Sequence, residues 1–327
     1  NVIINLPYFT YIYRGDKEIL EELSTPLMRY LNYLFSRLGK DGIMEIGLGD
    51  WCPPGVKEDE FKTPLAVTDT ILTYDIAVKS AFVYEVLGQQ PQRQFALALA
   101  ERVKTAFREK LLNKETGEIK GGTQTGQAMA IYYGMLTVEE KPKALKLLIK
   151  YIADEDGHFY TGVLGGRVIY RVLAENGYID LAYNMIVRPD YPSYGNWIKR
   201  DATTLWEGFY PDGGRVLSLN HHFWGDISAW FYTYLAGIKI NPTGRDVTNV
   251  DIAPLFPEKL RNVSAHYDTP NGRISVAWKR ADNSIVLKIT AAEKLHGKIL
   301  LPGGFAFEDG THEAELKSGE FPIRKNT

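Results

Sequence analysis

Up to about residue 238 the chain repeats one pattern: an apolar stripe at spacings of three and four, a short turn, and another stripe. Ile19, Leu20, Leu23, Leu27, Leu31, Leu34, Phe35 and Leu38 form the clearest stripe, the mark of a helix with one buried face. Pro26 lies within it and should kink the helix or split it in two. A second helix is predicted from Thr68 to Leu87, with Gly88 at the left-handed position that ends helices. A third runs from Gln92 to Leu112, with Phe95, Leu99, Val103 and Phe107 inward and Arg102, Lys104 and Arg108 outward. Further helices are expected near 124–136, 140–153, 161–176, 178–187 and 221–237. Their connections are short and rich in Gly, Asn and Asp, which makes sequential helices antiparallel hairpins.

Some eight helices paired in this way predict a mainly α fold, an (α/α)6 toroid of concentric helices, over residues 1–240. A complete toroid needs twelve helices, so by this count the first are missing. The start at Asn1, without Met, agrees with a cut through a longer chain. After Ile240 the pattern changes. Asn241-Pro242-Thr243-Gly244 reads as a linker turn. Alternating segments follow at Val263–Tyr267, Arg273–Lys279 and Ser284–Ala291, separated by Pro270-Asn271-Gly272 and Asp282-Asn283. Period-two alternation between such turns predicts a small antiparallel β-sandwich over 241–327.

Charge and composition remove several function classes. With 38 Lys+Arg against 40 Asp+Glu, the chain lacks the positive field of a nucleic-acid or anionic-membrane binder. No apolar run reaches membrane-spanning length, and no signal peptide is visible at this N-terminus. Cys52 is the only cysteine, so an internal disulfide and a Cys-rich metal site are excluded. The six His include no HExxH, and His221 and His222, expected on a helix, would point apart, so no metal is expected. Gly121-Gly-Thr-Gln-Thr125 lacks phosphate-loop spacing, and Gly162-Val-Leu-Gly165-Gly166 lacks the GxGxxG order, so no cofactor is expected either. Thr123 or Thr125 reads as a helix cap, and Gln124 could face a cleft. Glu58-Asp59-Glu60 and Lys199-Arg200 read as solvated surface.

The long connections 41–67, 113–123 and 188–220 are the exceptions, and long ordered loops are usually functional. Four of the 6 Trp, at 197, 206, 224 and 230, fall in or just after the last of them, beside Gly, Pro, Asn, His and acids. Any one Trp is ordinarily packing; this cluster suggests an aromatic-lined cleft of the kind that stacks sugar rings. Glu207, beside Trp206, reads either as an acid or base tuned by aromatic surroundings or as a capping or ion-pairing carboxylate. His221, behind Asn220 as a cap, reads as a helix-start histidine or a hydrogen-bonding partner of a sugar or carboxylate. Gly47-Leu-Gly-Asp50-Trp51 reads as a tight turn or as a hydroxyl acceptor beside a stacking plate.

Together these segments resemble the bacterial α-L-rhamnosidases of glycoside hydrolase family 78. The resemblance rests on Gly49-Asp50-Trp51, Thr123-Gln124-Thr125, Asp180-Leu-Ala-Tyr183, Tyr191-Pro-Ser-Tyr194-Gly195, Ala202-Thr-Thr-Leu-Trp206-Glu207, Ser218-Leu-Asn-His221, Leu235-Ala-Gly-Ile238 and Val250-Asp-Ile-Ala-Pro254. It implies an (α/α)6 barrel followed by a β-sandwich, and inverting hydrolysis of terminal α-L-rhamnosides. It implies Glu207 as the general base, His221 as a substrate-contacting histidine and Trp51 as a wall of the rhamnose pocket. Asp50 belongs to the same motif, and Trp206 and Trp197 are further candidate walls.

The chain departs from the family in one respect: the acidic motif with an Arg-Asp-Glu core, which carries the general acid upstream of Gly-Asp-Trp, is absent. Inverting glycosidases use two carboxylates about 6.5–9.5 Å apart. Either the acid lies before Asn1, or the protein is a carbohydrate-binding relative without hydrolytic activity. Another (α/α)6 glycosidase is a third reading. On its own the chain is expected to show little or no rhamnosidase activity.

Overall fold

The computed structural model describes residues 2–55, 62–214, 217–281 and 284–325. The Glu58-Asp59-Glu60 run and the Asp282-Asn283 turn lie outside the described residues. Helices come first: α1 (Val2–Arg14), α2 (Glu18–Arg37), α3 (Leu65–Val86), α4 (Gln90–Lys110), α5 (Gln124–Tyr132), α6 (Glu140–Asp154), α7 (Val163–Glu175), α8 (Ile179–Val187), α9 (Tyr194–Lys199) and α10 (Asp226–Trp230). A π-helical turn, Phe231–Leu235, continues α10. None of these helices is long and apolar enough to cross a membrane.

Of the two outcomes expected at Pro26, a kink or a split, the split does not occur: α2 is one element through it. A mid-helix proline costs about 3 kcal/mol. Leu20 lies buried before Pro26, and Leu27, Leu31 and Leu34 after it; each such side chain contributes about 1.5–3 kcal/mol of burial. Burial on both sides outweighs the lost bond.

Contacts divide the chain into two compact units, Asn1–Leu6 with Leu20–Asp226, and Pro7–Ile19 with Ile227–Thr327. In the first unit α3 packs on α4, α5 on α6 and α7 on α8, while α3, α5 and α7 also touch in series. Burial separates these layers. From Gln124 to Ile131 every residue of α5 is buried, whereas α6 buries only Glu140, Ala144, Leu148 and Ile152 along one stripe. These are the inner and outer helices of a helical six-hairpin toroid. The segments leading into α3, α5 and α7 meet at one end of the inner helices. Thr63 and Thr123 share a hydrogen bond of 2.8 Å, and Thr125 donates to Asp50.

The second unit is a β-sandwich. One sheet has the order β1 (Ile238–Ile240), β2 (Val250–Ile252), β6 (Lys298–Leu300), β8 (Glu313–Glu315). The other has the order β3 (Asn262–Thr269), β4 (Gly272–Ala281), β5 (Ser284–Ala291), β9 (Gly319–Lys325), β7 (Phe305–Phe307). Inward residues of both sheets share one core, with Ile238, Val250, Ile252 and Ile299 from the first and Val276, Trp278, Leu287 and Ile323 from the second. The Trp278 indole donates to the Leu235 carbonyl at 2.7 Å. Among the described residues the named strands pair antiparallel except β2 and β6, which run parallel. Asn241-Pro-Thr-Gly244 belongs to the connection inside the β1–β2 pair. Asn241, at φ +46°, donates through its side chain to the Ile12 carbonyl at 3.0 Å.

Candidate active site

Asp50 organises the loop end of the inner helices. Its Oδ2 accepts from the Thr125 hydroxyl and from Gly162 N–H at 2.7 Å. Its Oδ1 accepts from Leu164 N–H at 2.9 Å and Gly165 N–H at 3.0 Å. Those amides are the orphan donors at the start of α7, where negative charge is favoured. Burial pushes the Asp50 carboxyl above the usual carboxylate range, and the four donors pull against that push. The next residue completes the join, since Val163 N–H donates to the Trp51 carbonyl at 2.8 Å. A Cβ on Gly162 would collide with the carbonyls of Asp50 and Trp51, so the approach requires glycine. Asp69, in α3, secures the loop from below by accepting from Gly47 N–H at 2.6 Å.

Glu207 and His221 stand on a second device, a short ladder between 204–207 and 218–221. Glu207 N–H donates to the Ser218 carbonyl at 2.9 Å, His221 N–H to the Leu205 carbonyl at 2.8 Å, and the Thr204 hydroxyl to the Leu219 carbonyl. The Glu207 side chain is fixed at one oxygen, where Oε2 accepts from Ser218 N–H at 3.0 Å. Its Oε1 has no hydrogen-bond partner among the described residues. In His221, Nδ1 accepts from Phe223 N–H at 3.2 Å. The proton of the neutral ring is therefore on Nε2, a donor without a hydrogen-bond partner among the described residues. A pocket of about 520 Å³ is lined by Thr204, Leu205, Asn220, His221 and His222.

Beneath the ladder lies an aromatic layer. Trp197 stacks on Phe209 with ring centres 4.2 Å apart and planes at 12°, and Trp206 lies 5.8 Å from Trp197. Trp224 meets Phe209 edge-on at 4.8 Å, and Tyr194 donates its hydroxyl to the Trp224 carbonyl at 3.1 Å. Ser193 caps α9 by accepting from Asn196 N–H at 2.9 Å, which places Tyr194 and Trp197 in this layer.

Several expectations change. Trp197 and Trp206 are 3% and 6% exposed, so their faces are spent on one another and on Phe209 rather than open as pocket walls. Asp50 has all four of its donors within the protein and acts as a clamp, not as an open acceptor for sugar hydroxyls. Trp51 is half-buried. His221 does not open a helix: α10 begins only at Asp226, because 218–221 is committed to the ladder. Off the helix, His221 and His222 stack with ring centres 4.8 Å apart and planes at 14°, instead of diverging. Gln124 does border a depression, beside Thr123, Tyr151 and Tyr160, but its polar atoms are engaged within the protein. Its amide donates to the carbonyls of Tyr151 and His158, and its oxygen accepts from Tyr160 N–H. Thr123 does cap α5, accepting from Gly126 N–H at 3.1 Å. Arg200 is not free surface, since its guanidinium lies 5.0 Å from the Trp206 ring centre and donates to the Tyr210 carbonyl.

Two contributors escaped the sequence reading, Ser218 through its main-chain N–H and Gly166 through the room it leaves for Trp224. The Gly162, Gly165, Gly166 spacing, which lacks dinucleotide-binding order, is the sequence signal for the second.

The fold is a six-hairpin helical domain with a β-sandwich after it. Residues 1–235 match the bacterial alpha-L-rhamnosidase 6 hairpin glycosidase domain, and residues 240–311 match the bacterial alpha-L-rhamnosidase C-terminal domain. The chain belongs to the bacterial α-L-rhamnosidase family. An alpha-L-rhamnosidase of Formosa agariphila is 29% identical over 335 residues, which cover 98% of this chain and 35% of that protein. One from Alteromonas sp. strain LOR is 27% identical over 98% of this chain and 37% of its own length. The chain thus spans about a third of the length of these relatives. The same fold occurs in the Streptomyces avermitilis α-L-rhamnosidase complexed with L-rhamnose (TM-score 0.86, 24% identity, 98% of this chain, 32% of that one). It occurs also in the α-L-rhamnosidase from Dictyoglumus thermophilum (TM-score 0.88, 25% identity, 99% and 39%).

Proposed function

We propose that this chain supplies the general base and part of the sugar pocket of an inverting α-L-rhamnosidase, with residues 1–240 catalytic and 241–327 the accompanying sandwich. The observation that carries the reading is the asymmetry of Glu207, one oxygen anchored by Ser218 N–H and the other open. An anchored carboxylate with a free oxygen orients one water. As that water attacks the anomeric carbon, Oε1 takes its proton. The bond to the leaving oxygen breaks on the opposite face, and a second carboxylate must protonate that oxygen. The Arg-Asp-Glu motif is absent from residues 1–327, so on this reading the acid comes from outside them. His221 Nε2–H donates to a hydroxyl of the bound sugar, and Trp51 borders the ring.

The test uses the polypeptide that bears this chain, with p-nitrophenyl α-L-rhamnoside as substrate. Glu207→Gln is expected to lower kcat by about 10²–10⁴-fold, the range of lost general-base assistance. Proton NMR should detect β-L-rhamnose as the first product. Near-normal turnover in the variant, or the α-anomer appearing first, refutes the assignment. Binding of rhamnosides without turnover by the unmodified polypeptide would identify a carbohydrate-binding relative instead.

A further inference from the structure

Glu207 sits in a segment that α9 grips on both sides of the carboxylate. Trp197 and Arg200, the latter at the C-cap of α9, are three residues apart and so neighbours along one helix face. Trp197 stacks on Phe209 and lies 5.8 Å from Trp206. The Arg200 guanidinium lies 5.0 Å from the Trp206 ring centre, and its Nη1 donates to the Tyr210 carbonyl at 2.5 Å. The grip thus falls on residues 206, 209 and 210, with Glu207 between them. The Tyr210 ring lies so close to Gly208 that a Cβ there would stand 3.1 Å from its Cζ, which closes the turn just after the carboxylate.

The helix that bears this grip is itself fixed. The Asn196 amide donates to the Pro189 carbonyl at 3.1 Å. A Cβ on Gly195 would stand 2.3 Å from the Arg188 carbonyl oxygen and 2.4 Å from that of Val187, so α9 lies directly on the end of α8. The root of the Arg200 side chain is held as well, since its N–H donates to the carbonyls of Asn196 at 3.1 Å and Trp197 at 3.0 Å.

An ion pair does not explain this placement. Arg200 Nε meets Asp212 Oδ1 at 3.4 Å, but the Asp212 side chain is 91% exposed and that of Arg200 only 21%. A pair open to water on one side contributes little. The ring and the carbonyl are what the arginine serves, and a guanidinium serves both at once. Its flat face covers an aromatic ring while its edge donates in a fixed fork, whereas an ammonium is a compact point charge on a flexible stem.

We propose that Arg200 is a positioning residue for Glu207, acting through Trp206 and Tyr210; the inference rests on the reading of Glu207 as the general base. A base that orients one water works only while its carboxylate keeps its place against the bound sugar. Its displacement is lost from the transition state and not from substrate binding. The test is kinetics of the polypeptide that bears this chain on p-nitrophenyl α-L-rhamnoside, with each Arg200 variant made alone and together with Glu207→Gln. Arg200→Ala should lower kcat about 10–10²-fold and leave KM within about twofold. Combined with Glu207→Gln, the same change should alter kcat by less than about twofold, because the group it positions is already gone. Arg200→Lys, which keeps the charge and the stem, should show a smaller loss of the same kind, and it decides the matter if Arg200→Ala does not fold. Hydrogen exchange at the Glu207 and His221 amides, bonded to the Ser218 and Leu205 carbonyls, should quicken in both variants whatever the turnover. Unchanged kcat, a raised KM at constant kcat, an equal loss with and without Glu207→Gln, or unchanged exchange would each overturn the positioning role and leave the assignment of Glu207 standing. Near-normal turnover of Glu207→Gln alone would instead remove the base, and the role of Arg200 with it.

Discussion

The indole N–H of Trp224 donates to the main-chain carbonyl of Glu207 at 3.0 Å, so the proposed base is held from behind by an aromatic side chain. The Trp224 ring lies where a side chain on Gly166 would otherwise be: a Cβ there would stand 2.6 Å from its Cζ3. A glycine in α7 thus sets the position of a carboxylate some forty residues later in the chain.

Gly166→Ala is therefore expected to behave as an overpacked core substitution. It should cost about 1–3 kcal/mol, read as a lower midpoint in thermal or urea unfolding. The change should also alter tryptophan fluorescence, because Trp224 must move. Equal stability of variant and parent would show that the ring has room to spare.

Trp224→Phe and Trp197→Phe should differ. The Trp197 indole N–H is buried and meets no acceptor among the described residues, whereas that of Trp224 holds Glu207. Both variants lose ring volume, but only Trp224→Phe leaves a carbonyl unpaired, a further cost of about 1–3 kcal/mol. Chemical denaturation of the pair measures the difference, and Trp197→Phe should be the milder.

Asp50→Asn should be nearly as damaging as Asp50→Ala. An amide has one acceptor oxygen, so its NH₂ must face either Gly162 N–H or the pair from Leu164 and Gly165. Donor against donor, in a buried position, is expected to cost about 2 kcal/mol or more. Hydrogen exchange at the first turn of α7 should rise in both variants. Thr125→Val, which removes one donor and keeps the carboxylate, should have the smaller effect.

Acid stability of the sandwich should depend on Asp246. Its carboxylate accepts from the Thr248 hydroxyl at 2.5 Å, from Thr248 N–H at 2.8 Å and from His296 at 2.9 Å. These bonds, that from the Thr248 hydroxyl foremost, hold its carboxyl down at about 2, against 3.8 ordinarily. A depressed carboxylate stabilises fully above the unfolded value and loses that contribution as pH falls through the folded one. The difference in Tm between the parent and Asp246→Ala should therefore be constant above pH 5 and shrink between about pH 4 and pH 2. A difference independent of pH over that window would show that the bonds are not coupled to folding.

Much of the fold was legible because burial leaves a period. β5 coincides with the predicted Ser284–Ala291, and α6 and α8 lie within a residue of expectation, since each is a clean stripe or alternation. α1 was missed: Pro7 interrupts a segment apolar on most sides, so no stripe stands out. α9 was missed because six residues carry no helical period. The late start of α10 was hidden because residues 218–221 pair with 204–207, a relation between two loops that no local pattern records. In the site, Asp50, Trp51, Glu207 and His221 were visible as residues. Their partners were not, since Asp50 is held by Thr125 and the start of α7, and Glu207 by a main-chain amide at 218. Residue type announces a carboxylate, while backbone donors have no signature in sequence.

The parallel pairing of β2 with β6 has a kinetic consequence. Ile252 faces Ile299 across that pair, and the whole β3–β4–β5 meander lies in the chain between them. Hairpins of neighbouring strands close short loops and form fast, whereas this pairing must first immobilise a long one. The three-stranded meander therefore precedes the four-stranded sheet in assembly. A nascent or refolding chain exposes the edge of β2 until the residues around Ile299 arrive to cover it.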